Sequence, residues 1–248
     1  MDLDDTFWDE LLPRISEGEV VAVVGPGAVT FGRGNELLYP WLAQRLPGEI
    51  DPPLTLEQPA RDLQEVVDAQ RAKGLPVERI CRRLHKIVED PDLRPGTTLA
   101  ALAAIEGFQL FISTTFDALL ARAVESASPG GKPEERRAAS TLRGACPDLP
   151  RELAEMQKPE HRFVYQILGR ATPTRDFVLW DDDLLHFLLR LDQQLPDLPK
   201  LSVALQKSHF LVLGLSLADW LLRFFVQVVK RQRLSELAGS ELFIFEKL

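Results

Sequence analysis

Short apolar runs alternate with segments of helical periodicity along most of the chain. Val20–Val24 and residues 210–213 are apolar at every position, which is typical of strands buried on both faces of a parallel sheet. Further strands are predicted at 109–113, 163–168, 177–180 and 242–245. Because helical segments separate these runs, the pattern predicts an α/β fold with a doubly wound, mostly parallel, Rossmann-like sheet.

Helices are predicted wherever apolar positions recur at intervals of three or four. They cover 6–17, 36–45, 60–90 with a break at 73–76, 98–106, 118–124, 181–191 and 217–231. Asn35 is expected to cap the helix that starts at Glu36. Within a single domain of residues 1–248, the stretch 47–107 is predicted to form a helical insertion or cap beside the sheet. The polar residues 126–160 are predicted to be mobile or loosely helical.

Charge and composition narrow the class of protein. The formal net charge is −8 and the pI is about 5.1, which argues against direct nucleic-acid binding. Two basic clusters are interpreted as solvated helix faces: Arg82 and Arg83, and Lys230, Arg231 and Arg233. The chain starts with acidic residues where a signal peptide would be basic, and no apolar run approaches the roughly 18 residues of a membrane span. We therefore expect a cytoplasmic protein with no membrane partner.

Neither the cysteines nor the acidic residues indicate a metal. Cys81 and Cys146 are far apart and in no metal-type pattern, which excludes a disulfide framework and a four-cysteine zinc site. The consecutive carboxylates Asp181, Asp182 and Asp183 do not converge on one ion without help, and a helix N-terminus explains them better. No metal is expected.

A glycine-containing turn follows the first apolar run. Gly25, Gly27 and Ala28 come directly after the predicted strand, and glycine lets the backbone approach a phosphate closely. Position 30 is threonine where the usual dinucleotide pattern has a third glycine, and no acidic residue follows a second strand about 20 residues later. Two interpretations stay open, a phosphate-binding loop and a tight turn without a ligand.

Five segments, taken in their order along the chain, carry a resemblance to a known family. They are V-V-G-P-G-A at 23–28, F-I-S-T-T-F-D-A-L-L at 111–120, V-Y-Q-I-L-G at 164–169, F-V-L-W-D-D-D at 177–183 and F-L-V-L-G-L-S-L-A-D at 210–219. Together they resemble the SIR2-like (sirtuin-type) domains of bacteria, including those found in antiphage defence proteins. The resemblance covers about residues 6–246 and implies a cleft for NAD or ADP-ribose. The positions that it implies for the nucleotide are Gly25, Gly27, Ala28, Thr115, Asp117, Gly214, Ser216 and Asp219.

The chain departs from this family where the family's chemistry takes place. The asparagine of the family's T-N-Y-D segment falls on Thr115, and the catalytic histidine of its K-L-H-G segment falls on Leu168. Pro26 removes one backbone N–H from the glycine loop. Leucine cannot take a proton, and loss of a general base typically costs about 10²–10⁴-fold in rate. Since neither His161 nor His209 matches the family position, we predict that efficient NAD hydrolysis is lost.

Several residues have two interpretations each. Asp117 and Asp219 either cap a helix or fix a loop near a ribose, and Ser216 either binds a ribose or closes a turn. His85 and His186 fall in helical patterns and are predicted at the surface.

The segment 220–229 is apolar nearly all round, whereas a surface helix shows one apolar stripe. It is expected to pack on the sheet with one side and on a second copy or another effector domain with the other.

Three hypotheses for function remain. The first is a nucleotide-binding or assembly module that has lost catalysis, set in a bacterial defence or signalling protein whose effector domain lies outside this chain. The second is an active NAD glycohydrolase with a displaced base, and the third is a scaffold without a nucleotide. The last apolar run lies three residues before Leu248, which is compatible with a natural end or with a further C-terminal domain in a longer protein.

Overall fold

A single parallel sheet organises the protein. The computed structural model describes residues 5–128, 134–136, 149, 162–174, 176–215, 220–231 and 242–245. The strands are β1 (Val20–Val24), β2 (Thr30–Phe31), β3 (Glu36–Leu37), β4 (Leu110–Ser113), β5 (Glu134–Arg136), β6 (Phe163–Gln166), β7 (His209–Leu213) and β8 (Leu242–Phe245). Six of them form one sheet in the order β5-β6-β4-β1-β7-β8, and every neighbouring pair is parallel.

Helices cover both faces of this sheet. They are α1 (Asp5–Ser16), α2 (Leu38–Glu49), α3 (Leu63–Ala72), α4 (Glu78–Val88), α5 (Thr97–Ala104), α6 (Leu119–Ala127), α7 (Asp181–Gln194), α8 (Pro199–Lys207) and α9 (Trp220–Lys230). Successive side chains of a strand point to opposite faces, and β1 shows this directly. Ala22 and Val24 pack with α1–α6, whereas Val21 and Val23 pack with α7–α9. The predicted α/β fold with a doubly wound parallel sheet is therefore confirmed.

The strand order creates a switch point beside β1. From β1 the chain continues to β4 on one side and later returns to β7 on the other. In open α/β sheets a ligand crevice lies outside the carboxyl ends of the strands at such a point. We call this region the carboxyl edge, defined by the ends of four strands: Val24, Ser113, Gln166 and Leu213.

The segment after the glycine turn differs from its prediction. Instead of a helix from Glu36, the antiparallel pair β2–β3 forms first, and α2 starts at Leu38 without a side-chain cap. Asn35 has a positive φ of 53° and serves another helix, since its Oδ1 accepts from Thr98 N at 3.4 Å near the start of α5. The predicted cap of α2 was wrong because the partner of Asn35 lies far away in sequence.

The strand predicted at 177–180 does not form. Val178 N donates to Leu168 O at 2.8 Å, and the segment then enters α7 at Asp181. Its apolar side chains are nevertheless buried, because Val178 packs on one face of the sheet and Leu179 on the other. The apolar run reflects burial on two sides of a short connection rather than strand pairing.

The middle of the chain is helical, as predicted, between α2 and β4. Buried side chains of α3, α4 and α5 join the same apolar cluster that covers one face of the sheet. The division into one domain with an insertion at 47–107 stays a prediction. Within 126–160, residues 134–136 form strand β5 rather than a helix, while residues 129–133, 137–148 and 150–160 lie outside the described residues. None of the described helices is long and apolar enough to cross a membrane.

Candidate functional site

The glycine turn packs directly against the end of β7. Gly25 N donates to Leu213 O at 2.8 Å, and Gly27 N donates to Gly214 O at 3.1 Å. Gly214 has a φ of +72°, and a Cβ there would lie 2.1 Å from Ala28 N. The structure therefore brings together four of the predicted site residues, and they form a tight backbone contact at the switch point.

This contact uses the N–H groups that a diphosphate would need. Beyond Gly25 and Gly27, Ala28 N donates to Gly25 O at 3.0 Å and Val29 N to Pro26 O at 3.4 Å, while Pro26 has no N–H. A single 3₁₀ turn and the β2–β3 hairpin follow, so the loop does not lead into a helix N-terminus of the kind that favours anions. In this conformation each N–H from Gly25 to Val29 is satisfied within the protein.

Thr115 and Asp117 lie at the carboxyl edge, after β4. Thr114 N donates to Val24 O at 2.9 Å, which ties this segment to the end of β1. Thr115 Oγ1 is 2.8 Å from Ser113 Oγ, and Asp117 Oδ1 accepts from Leu119 N at 2.9 Å. Asp117 directly precedes Ala118, which is the N-cap of α6, so its carboxylate bonds with the first residue of the helix but Asp117 is not the predicted N-cap. Only 1% of Asp117 is exposed. The carboxylate is thus a buried element of the edge.

Two residues of this edge were not predicted from the sequence. Tyr39 Oη donates to Asp117 Oδ2 at 3.0 Å and accepts from Phe116 N at 3.1 Å. Gln166 Nε2 donates to Asp117 O, while Gln166 Oε1 is buried with no hydrogen-bond partner among the described residues. The position of Gln166 near the end of a predicted strand, two residues before Leu168, could have identified it as a residue of the carboxyl edge. The sequence offers no such signal for Tyr39, since it lies in a helix far from Asp117 in sequence.

Burial controls the proton equilibria of this pair. Burial raises the pKa of Asp117 above its ordinary value of 3.8, although hydrogen bonds from Leu119, Thr115 and Tyr39 oppose the rise. Burial, and then the nearby charge of Asp117, raise the pKa of Tyr39 well above 10.0. Next to the Asp117 carboxylate, a protonated or polar group such as the Tyr39 hydroxyl is therefore favoured over a second negative charge.

Asp117→Asn is expected to remove a pH dependence of stability. Because the folded-state pKa of Asp117 is raised, the native state binds more protons than the unfolded chain above pH 3.8, and this contribution to stability falls as pH rises through the folded-state pKa. Urea unfolding from pH 4 upwards should show that the wild-type free energy of unfolding, relative to that of Asp117→Asn, declines with pH. Exposed Asp192→Asn is the control and should keep the wild-type slope. Parallel pH profiles for wild type and Asp117→Asn would contradict the raised pKa.

Of the positions considered for a general base, Leu168 and His209 do not provide one at the carboxyl edge. Leu168 is buried and packs in the cluster beneath α7–α9. His209 pairs with Val20 at the opposite end of the sheet, roughly 16 Å from the glycine contact at about 3.3 Å per residue. His161, Ser216 and Asp219 lie outside the described residues.

The two helical histidines differ. His186 is exposed, as predicted, whereas His85 is half-buried and its Nδ1 lies 3.0 Å from Ala171 O. Ala171 N in turn donates to Phe116 O at 2.8 Å. The surface prediction for His85 was therefore wrong in part, because α4 packs against the loop that follows β6.

The acidic run 181–183 begins α7, as the helix interpretation predicted. Asp183 is buried, and its Oδ2 accepts from Leu179 N, just before the helix, at 3.5 Å. No group of three or more His, Cys, Asp or Glu side chains that could hold a metal ion occurs in the part of the chain that the structure describes.

Comparison with protein-family models identifies a family for this chain. Residues 109–246, more than half of the chain, match the model of the SIR2-like domain family. No curated protein matches. The matched region runs from the start of β4 to the end of β8 and includes the carboxyl edge except for Val24, the glycine turn and Tyr39.

Proposed function

The chain belongs to the SIR2-like domain family, and we propose that it is a module for binding NAD or ADP-ribose, or for assembly, that does not hydrolyse NAD efficiently. The buried leucine at position 168 carries this proposal. Leu168 stands where the resemblance places the catalytic histidine, and it packs in the core with 7% of its surface exposed. His209 lies at the far end of the sheet and His186 is exposed on α7, so neither of them replaces it at the carboxyl edge.

The state of Thr115 supports the same conclusion. Its hydroxyl is 2.8 Å from Ser113 Oγ, and only 2% of Thr115 is exposed. A threonine hydroxyl that is already engaged has no carboxamide with which to hold a ribose hydroxyl or a water. The edge is therefore organised for structure and recognition rather than for proton transfer.

The ligand fits this edge only after a local change. The glycine loop would have to release the Gly27 N–Gly214 O bond before it could donate to a diphosphate oxygen. One neutral hydrogen bond contributes about 0.5–1.5 kcal/mol, so this exchange is affordable for a ligand that makes several bonds. No described residue at the edge acts as a base in this proposal.

Incubation of the purified chain with NAD, followed by chromatography, tests the loss of catalysis. We expect no nicotinamide release above the level of Thr115→Ala, and saturable binding of NAD or ADP-ribose in a calorimeter. Thr115→Val removes the hydroxyl that holds Ser113 in place at the carboxyl edge and should therefore weaken that binding by several-fold, while exposed Thr55→Val should not. Turnover by the wild type that Thr115→Ala abolishes would instead establish an active glycohydrolase.

A scaffold without a nucleotide is the second candidate, and one observation favours it. All N–H groups from Gly25 to Val29 are already satisfied, so the glycines serve the close packing of two turns without any ligand. Absence of both turnover and binding would select this function.

We also propose a partner for α9, in a bacterial defence or signalling setting that rests on the resemblance alone. Leu222, Phe225 and Val226 of this helix are buried against the sheet, whereas Phe224 and Val228 are half-buried. These two side chains are the described apolar positions of α9 that a second copy or an effector domain could still cover. Sedimentation of wild type and of a Phe224→Ser variant would show whether this surface mediates self-association.

A further inference from the structure

Helix α4 carries a concentration of positive charge on a protein whose net charge is −8. Its inward side chains are apolar and join the core: Ile80, Cys81, Leu84, Ile87 and Val88. Its other positions hold Glu78 and five basic residues: Arg79, Arg82, Arg83, His85 and Lys86. Residues three and four apart on a helix are neighbours, so most of these cations share one face.

This face lines an open cavity of about 420 Å³. The cavity lies between α4, the end of α2 and the loop that follows β6, and its lining includes Ile50, His85 and Pro173. Small-molecule sites commonly have volumes of roughly 300–1,000 Å³. The cavity is therefore large enough for a compact ligand with several charged groups.

One of the two carboxylates in the lining is already neutralised. Arg83 Nε donates to Glu49 Oε2 at 2.7 Å, and Arg45 pairs with Glu49 Oε1. Burial raises the pKa of Glu49, but the hydrogen bonds and charges of Arg45 and Arg83 outweigh it and lower the pKa overall. Glu49 is consequently ionised and occupied, and it does not balance the remaining cations.

Three cations of the lining are left without a counter-charge in contact. Within the described ranges, the side chains of Arg79, Arg82 and Lys86 have no ion pair or hydrogen bond, and Asp51 is the other carboxylate that lines the cavity. Arg79 Nη1 is moreover buried with no acceptor. A buried donor without a partner costs about 1–3 kcal/mol, and a water or an ion is a common explanation for such a group.

We propose that this cavity binds a small molecule that carries two or more phosphate groups, with Arg79, Arg82 and Lys86 as its ligands. Guanidinium groups bind phosphate oxygens through paired, charge-assisted hydrogen bonds, and lysine adds a point charge. Three uncompensated cations match the charge of a di- or triphosphate. The site is independent of the proposed function, because neither the glycine turn nor Thr115 lines the cavity.

Calorimetric titration of the full chain with inorganic tripolyphosphate at low salt tests this site. We expect saturable binding near one equivalent, weakened about tenfold or more by Arg79→Gln and by Arg82→Gln. Arg223→Gln is the matched control, since Arg223 is an exposed helical arginine on α9, across the sheet. It should leave the affinity within about twofold, and urea midpoints of all variants should confirm that they fold.

Three results would overturn the proposal directly, and a fourth concerns Thr115→Val. They are absence of saturable binding by the wild type, equal weakening by Arg223→Gln, and tighter binding of a single-stranded oligonucleotide through the same arginines. Thr115→Val separates the two proposals, since it should weaken NAD binding and leave tripolyphosphate binding unchanged. If Thr115→Val weakened tripolyphosphate binding as well, the phosphate groups would belong at the carboxyl edge and not in the α4 cavity.

Discussion

Gly214→Ala should lower the free energy of unfolding by more than about 3 kcal/mol and leave little folded protein. A Cβ at Gly214 would lie 2.1 Å from Ala28 N and 2.5 Å from Gly27 C, and both atoms belong to a backbone that cannot swing aside. The φ of +72° adds a further cost of roughly 1–2 kcal/mol for any other residue. Urea unfolding followed by circular dichroism measures the loss.

Gly74→Ala separates the clash from the backbone conformation. Gly74 has a similar φ of +65°, and a Cβ there would meet nothing within 4 Å. This variant should lose only about 1 kcal/mol, which represents the left-handed conformation alone. Equal losses for Gly74→Ala and Gly214→Ala would show that the contact between the two turns contributes nothing specific.

Arg162→Met should destabilise the protein by about 3–5 kcal/mol, because three carbonyl groups lose a hydrogen-bond donor and two of them, those of Ala103 and Phe108, are buried. Arg162 is 3% exposed and donates through Nη1 to Ala103 O at 2.7 Å, through Nη2 to Ile105 O at 2.9 Å and through Nε to Phe108 O at 3.0 Å. These bonds satisfy the end of α5, where helix carbonyls have no partner of their own. The guanidinium also lies 5.1 Å from the ring centre of Phe111, so it packs on the sheet.

Two further variants define the role of Arg162. Arg162→Lys keeps the charge but replaces the planar fork by one ammonium group, and we expect roughly half of the loss. Arg223→Met removes an exposed arginine and should stay within about 0.5 kcal/mol of the wild type. If Arg162→Lys were as stable as the wild type, charge rather than the three directed hydrogen bonds would account for the effect.

The strands that define the fold were predictable because burial on both faces requires an apolar residue at every position. Val20–Val24 and 210–213 are apolar at every position, and both are central strands with helices on each face. The β2–β3 hairpin was missed because each of its strands has two residues, too few to show a period. The run at 177–180 was wrongly predicted as a strand, because a connection that is buried on two sides has the same apolar pattern as a buried strand.

The candidate site was predictable in position but not in its interactions. Thr115, Asp117 and Gly214 do lie together at the carboxyl edge, because parallel strands end on the same side. The partner of Asp117 is Tyr39, 78 positions away, and no local pattern specifies such a contact. The engagement of the Gly27 N–H by Gly214 also depends on two distant turns meeting, which composition cannot show.

The parallel arrangement around β1 has a consequence for how the chain acquires its structure. Thr114, after β4, bonds with Val24 at the end of β1, 90 positions away. Arg14 of α1 contacts His209 at the start of β7, 195 positions away. Non-local pairings of this kind slow folding, because the entropy cost of closing a long loop comes before the stabilising contacts can form. At about 5–20 residues per second, a ribosome needs roughly 10–40 s between the synthesis of β1 and that of β7. During that interval a fully apolar strand has no second neighbour, so newly made chains should depend on chaperones to avoid aggregation.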